Sequence, residues 1–248
     1  MTPPSLWLVA PAKFVLNKDE VHVFRASLEL PPKKRETLHR TLSGEELSRA
    51  AHFHFLKDRT SFVTARGLLR TLIARYLDEE PRLLRFRYGP HGKPALEAGS
   101  GESSLRFNIS HSHGLCLFAF SLEREVGIDV EHIRPSHPDD ENIVKSFFSA
   151  GEAAALDALP SNLRQKTFFS FWSRKEAYLK AVGLGAAKEL NSFDVSGPAD
   201  AVTGMIRIKG DPEASLLSLM DLDAGPEYAA AVVAEGHGWQ LRCWRWEG

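Results

Sequence analysis

The chain has 248 residues, 43% of them hydrophobic and 25% charged, with a formal net charge of −1 and an isoelectric point near 6.8. That composition suits a globular protein with room for a substantial core, and the near-neutral balance excludes a global basic field of the kind that marks nucleic-acid binders, so any anion site must be local. Cys116 and Cys243 lack metal-type spacing, residues 1–14 lack a basic start followed by a long apolar core, and no eighteen apolar residues run together, which predicts buried thiols, no signal peptide, no membrane span and a cytoplasmic location.

In chain order, a short strand over 6–9 and a second over 21–28 lead into helices. Ser43 with Glu46 three residues on is a capping-box pattern. Phe62, Ala65, Leu69, Leu72, Ile73 and Tyr76 recur at helical spacing, so 59–77 reads as one amphipathic helix. Strand-like runs follow at 84–88, 105–110, 115–121 and 126–133. The order then repeats. Ser149 with Glu152 makes a second capping box before a helix that ends near Pro160, and a long helix over 163–182 is stopped by Gly183 and Gly185. Further strand-like runs lie at 193–195, 204–209, 214–222, 227–235 and 239–246. The expected class is α+β, with two pseudo-symmetric lobes, 1–124 and 125–248, each a small antiparallel sheet packed on a long helix.

Chemistry concentrates in four segments. In GIDVE (127–131), alternation along a strand puts Asp129 and Glu131 on one face. Two adjacent carboxylates repel unless a cation joins them, and oxygen-only ligation suits magnesium; a solvent-facing edge strand would show the same pattern. In FWSRKEAYLKAVGLG (171–185), Trp172, Glu176 and Lys180 line one helical stripe with Lys175 beside it. A third carboxylate near two lysines matches the needs of a metal-bound diphosphate, although a surface Glu–Lys pair at i,i+4 is the simpler alternative. In FNISHSHG (107–114), Ser110 and His111 end an apolar strand where their donors can reach a phosphate, or merely cap the strand; zinc at His111 and His113 would lack a third ligand. In YGPHGKPAL (88–96), His91 and Lys93 sit on a Gly-Pro turn that can grip a phosphate or lie solvated. Arg49, Lys57, Arg59 and Arg66 add basic side chains of which one or two can face an anion. No phosphate-loop, nucleophile-elbow or H-E-x-x-H motif is present.

Taken together and in this order, HGKP, FNISHS, GIDVE, FFSAGE and W-S-R-K-E-A-Y-L-K with G-L-G resemble the Sfp-type 4′-phosphopantetheinyl transferases, densely over 88–195 and more loosely over 42–77. The resemblance implies a monomer of two pseudo-symmetric lobes with coenzyme A, the co-substrate, in the cleft between them. It implies that Asp129, Glu131 and Glu176 hold Mg2+ (or Mn2+) against the diphosphate. Lys180 would contact the α-side phosphate with Lys175 close by, Ser110 and His111 the 3′-phosphate region, His91 and Lys93 the adenosine end, and Arg49 the nucleotide phosphates. Glu176 and Lys180 are the expected catalytic residues, with Glu176 or a metal-bound water as the base for the serine of an apo acyl or peptidyl carrier protein. Phe147, Phe148 and Lys145 are candidates for meeting that carrier, the two phenylalanines being equally suited to a core. No nucleic-acid or membrane partner is implied. Two other readings use the same residues: a magnesium-dependent hydrolase of a nucleotide diphosphate, and a non-catalytic module that binds coenzyme A or a carrier.

Overall fold

A computed structural model describes residues 7–11, 13–89, 92–97, 104–183, 189–198, 205–206 and 208–247. Strands β1 (Leu8–Val9) and β2 (Glu20–Ser27) precede helices α1 (Pro32–His39), α2 (Gly44–Ala51) and α3 (Leu56–Leu77). A hairpin of β3 (Phe86–Tyr88) and β4 (Pro94–Leu96) leads to β5 (Leu105–Ser112), β6 (Leu115–Leu122) and β7 (Val126–His132). Then come α4 (Asp140–Phe147), α5 (Ala150–Asp157), α6 (Ser161–Val182), β8 (Met205–Ile206), β9 (Leu217–Leu222), β10 (Tyr228–Glu235) and β11 (Gln240–Arg245). Both expected capping boxes form, with Ser43 and Ser149 accepting from the backbone of Glu46 and Glu152 and each glutamate returning to its serine's N–H. The class is α+β, as expected.

The architecture is four layers: helix, sheet, sheet, helix. The first sheet runs β1-β11-β2-β6-β5 and the second β7-β10-β9-β8. Period-two alternation sends Phe24, Phe118 and Phe120 to one face of the first sheet, where they pack on Leu68, Leu69, Leu72 and Ile73 of α3. Val21, Val23, Leu117 and Ala119 go to the other face and meet Val126, Ile128, Val130, Val232 and Ala234 of the second sheet. The far side of that sheet, with Ala229, Ala231 and Val233, carries α6 through Phe168, Phe169, Phe171, Ala177, Tyr178 and Ala181. The two-lobe expectation thus takes the form of two helix-backed sheets sharing an apolar middle layer.

Two details differ from expectation. β11 leaves the second half of the chain and inserts into the first sheet, pairing in parallel with β2 and with β1. The first sheet is therefore mixed. Alternation reports which face of a strand is buried, not which strand lies beside it, so the pattern at 239–246 was silent on this point. Residues 193–195 form only an isolated bridge between Asp194 and Lys209, and 213–216 are a 3-10 turn ahead of β9.

Candidate active site

The site begins with a glycine. A Cβ on Gly127 would lie 2.1 Å from the Ala177 carbonyl oxygen and 2.3 Å from the Ala181 nitrogen, so α6 rests directly on the β7 backbone. Beyond that contact, the odd-numbered residues of β7 continue toward α6. Asp129 and Glu131 thereby meet Glu176 and Lys180, which sit one helical turn apart. The Lys180 ammonium donates to Asp129 Oδ1 at 2.6 Å and to the Ser110 hydroxyl at 3.1 Å, and Ser110 donates to the same Oδ1 at 2.9 Å.

A stripe of polar side chains on β5 stitches the two sheets together here. Asn108 Oδ1 accepts from the Ile128 N–H at 3.0 Å. Ser112 donates to Glu131 Oε2 at 3.1 Å and accepts from the His132 N–H. Asn108, Ser110 and Ser112 share one face of β5 by alternation, so each bonds the residues of β7 opposite it. Asn108 and Ser112 were not singled out in the sequence; the signal was the polar residue at every second position of FNISHS.

Asp129 is 3% exposed, yet its Oδ2 has no partner. Burial and then the Asp129 charge push the Glu176 carboxyl above the ordinary range, and the same two causes act on Glu131. This is an oxygen-rich group with the Lys180 ammonium beside it and an unused buried lone pair. Among the described residues no three His, Cys, Asp or Glu side chains close into a preformed ion cage. A hard cation that keeps its waters and takes substrate phosphate oxygens needs only one or two carboxylates, so the donor set fits magnesium as an open half-site.

Glu176 and Lys180 line a cleft of about 550 Å³ whose other walls include Arg49, Phe62, Arg66, Lys93, Ser110 and His111. Opposite Lys180, Arg49 and Arg66 form a second cationic locus, both guanidinium groups lying over the Phe62 and Tyr88 rings. Arg66 is 8% exposed; its nearest carboxylate, Glu46, stands 3.5 Å away and also serves Arg70, and Arg66 Nη1 has no partner. Buried positive charge in excess of its carboxylate gives this wall of the cleft a preference for anions.

The structure places the other candidate residues as follows. Lys175 faces away from the cleft: it is fully buried, paired with Glu152 at 2.9 Å, and donates to the Leu190 and Phe193 carbonyls. One position along a helix turns a side chain by about 100°, which carries Lys175 into the second lobe's core while Glu176 faces the cleft. Glu152 is consumed by the same pair, by its capping box and by the Val195 N–H. Lys93 borders the cleft, but its ammonium is held by the Lys180 carbonyl at 2.8 Å and Glu125 at 2.9 Å, tying the β3–β4 hairpin to the end of α6. Ser110 turns its hydroxyl to Asp129 and Lys180, leaving His111 exposed at the rim. His91 lies outside the described residues. Phe147, which ends α4, is half-exposed against Trp172, and Phe148, just after it, is core.

Residues 125–233 match the 4′-phosphopantetheinyl transferase superfamily and residues 31–122 the 4′-phosphopantetheinyl transferase N-terminal family. The chain is 40% identical over 240 residues to the 4′-phosphopantetheinyl transferase HetI of Nostoc sp., covering 97% of this chain and 98% of that protein. It is 28% identical over 193 residues to the transferase Sfp of Bacillus subtilis, covering 78% and 82% of the two. To the human L-aminoadipate-semialdehyde dehydrogenase-phosphopantetheinyl transferase it is 30% identical over 166 residues, 63% of this chain and 54% of that one.

Proposed function

The chain belongs to the 4′-phosphopantetheinyl transferase superfamily, and from that premise we propose that it transfers the 4′-phosphopantetheine arm of coenzyme A to a serine of an apo acyl or peptidyl carrier protein, releasing 3′,5′-ADP. The observation that carries this reading is the buried, half-used carboxylate of Asp129 beside Lys180, in a cleft with a second cationic locus at Arg49 and Arg66. Coenzyme A itself carries two anionic loci, a diphosphate and a separate 3′-phosphate. Two cationic loci on facing walls match two anionic ones: Lys180 takes the diphosphate, and Arg49 with Arg66 the 3′-phosphate.

Asp129, Glu131 and Glu176 would hold Mg2+, which when bound neutralises the diphosphate and polarises its oxygens. The protein's own share is positioning and charge. Lys180 is fixed by Asp129 and Ser110 before substrate arrives, so its ammonium needs no reorganisation as charge develops on the departing phosphate. Ser112 and Asn108 hold β7, and with it the two carboxylates, in register. The carrier serine attacks the β-phosphorus of coenzyme A, the bond to the ADP-side bridging oxygen breaks, and the serine proton passes to a base. Glu176, whose carboxyl burial pushes up and which lines the cleft, is the first protein candidate, directly or through water.

Intact-mass spectrometry of a panel of apo-carriers after incubation with enzyme, coenzyme A and Mg2+ tests this reading. A gain of one phosphopantetheine arm supports it and names the carrier class. Consumption of coenzyme A with no carrier present would instead favour a diphosphate hydrolase.

A further inference from the structure

Phe55 and Leu56, at 72% and 76% exposure, are the most exposed large apolar side chains among the described residues. They are neighbours, and Phe53 extends the patch by packing its ring 5.3 Å from that of Phe62, which lines the cleft. Behind Leu56 lies a groove of about 560 Å³ with Leu28, Leu30, Arg35, Lys57 and Gly114 on its walls and Glu29 as its carboxylate. The patch is therefore continuous with the catalytic cleft on one side. On the other it reaches the β5–β6 turn, next to Ser112 and its bond to Glu131. Exposed His52, His54, Lys57 and Arg59 surround it, and with Arg35 in the groove the lysine and arginine side chains outnumber the two acids, Asp58 and Glu29.

A contiguous exposed apolar patch with a cationic margin is an interaction surface, and its charge selects an acidic partner. We propose that Phe55 and Leu56, with Lys57 and Arg59, dock an acidic, apolar helix face of the carrier protein, so that its serine enters the cleft from the β5–β6 side. This surface rests on the transfer reading above for the identity of its occupant. It differs from the α4 surface at Phe147, which is less exposed and has Trp172 as its ring partner.

The test combines binding with turnover. Fluorescently labelled apo-carrier is titrated against wild type, Leu56→Asp, Lys57→Glu and Phe147→Asp in the presence of 3′,5′-ADP and Mg2+, and steady-state transfer is measured in parallel. Leu56→Asp is expected to weaken carrier binding and raise the carrier KM by about tenfold or more. Lys57→Glu should act less strongly and lose its effect at high salt. Both should leave the coenzyme A KM, 3′,5′-ADP affinity and melting temperature at wild-type values. Unchanged carrier binding in Leu56→Asp overturns the surface, as does an effect confined to Phe147→Asp. So does a concentration-dependent dimer that Leu56→Asp dissolves without changing carrier binding, since the patch would then seat a second copy of this chain. Wild type that binds carrier through Leu56 yet adds no mass to it would uphold the surface and overturn the transfer reading.

Discussion

Gly127→Ala tests whether the site depends on α6 lying against bare backbone. The new methyl would sit 2.1 Å from the Ala177 oxygen, 2.3 Å from the Ala181 nitrogen and 2.9 Å from the Lys180 carbonyl carbon. All three are backbone atoms of one helix, so no side chain can rotate out of the way. To regain ordinary contact the helix must retreat from β7 by roughly 1–1.5 Å. Overpacking of this kind costs typically about 1–3 kcal/mol. For a chain of this size, about 3 kcal/mol lowers the melting temperature by roughly 6–12 °C. The same retreat pulls Lys180 from Asp129 and Glu176 from Glu131, and a misplacement of about 1 Å costs on the order of 100-fold in rate. Thermal unfolding followed by circular dichroism, with transfer kinetics on the folded variant, checks both effects. A variant that melts within about 2 °C of wild type and turns over within about twofold of it would refute the argument that this glycine sets the distance between strand and helix.

Lys175 and Lys180 should separate cleanly. Lys175→Met strands the buried Glu152 carboxylate, for a loss of about 3–5 kcal/mol in chemical denaturation, with coenzyme A affinity of the folded fraction unchanged. Lys180→Met leaves Asp129 with Ser110 beside the cleft, so it should cost less stability than Lys175→Met and lose transfer by about 100-fold or more, read in the mass-spectrometric assay. Lys93→Met should lower kcat more than 3′,5′-ADP affinity, because its ammonium holds the Lys180 carbonyl instead of a phosphate, and Lys93→Arg should restore part of the loss; a collapse of nucleotide affinity alone would return Lys93 to a direct ligand role. At Asp140, burial opposes the charge, but Arg134, the His137 N–H and Gln165 outweigh it and depress the pKa. The unfolded chain therefore binds this proton more readily, so the stabilisation is complete above the ordinary aspartate value near 3.8 and is lost as pH falls through the lower folded value. Asp140→Asn should accordingly cost about 1–2 kcal/mol at pH 7, with a penalty that shrinks in strong acid when urea unfolding is repeated across the pH range.

Local signals carried well from sequence to structure because local physics decides them. Ser43–Glu46 and Ser149–Glu152 became capping boxes since both partners lie within one turn. The two long helices and most strands followed from apolar periodicity, and Asp129 with Glu131 share a face because strand alternation allows nothing else. Glu176 and Lys180 share a stripe for the corresponding helical reason. Tertiary packing decided the rest. The direction in which Lys175 turns depends on where α6 meets its sheet, and a buried lysine and a cleft lysine look alike in a string of letters. The capture of the Lys93 ammonium by the end of α6 involves residues 87 positions apart, beyond the reach of any local pattern. Arg66 gained its standing from what surrounds it: a carboxylate shared with Arg70 and an unpartnered nitrogen in the cleft wall. The return of β11 to the first sheet was equally hidden, because alternation encodes a buried face while the choice of neighbouring strand is made by the assembled core.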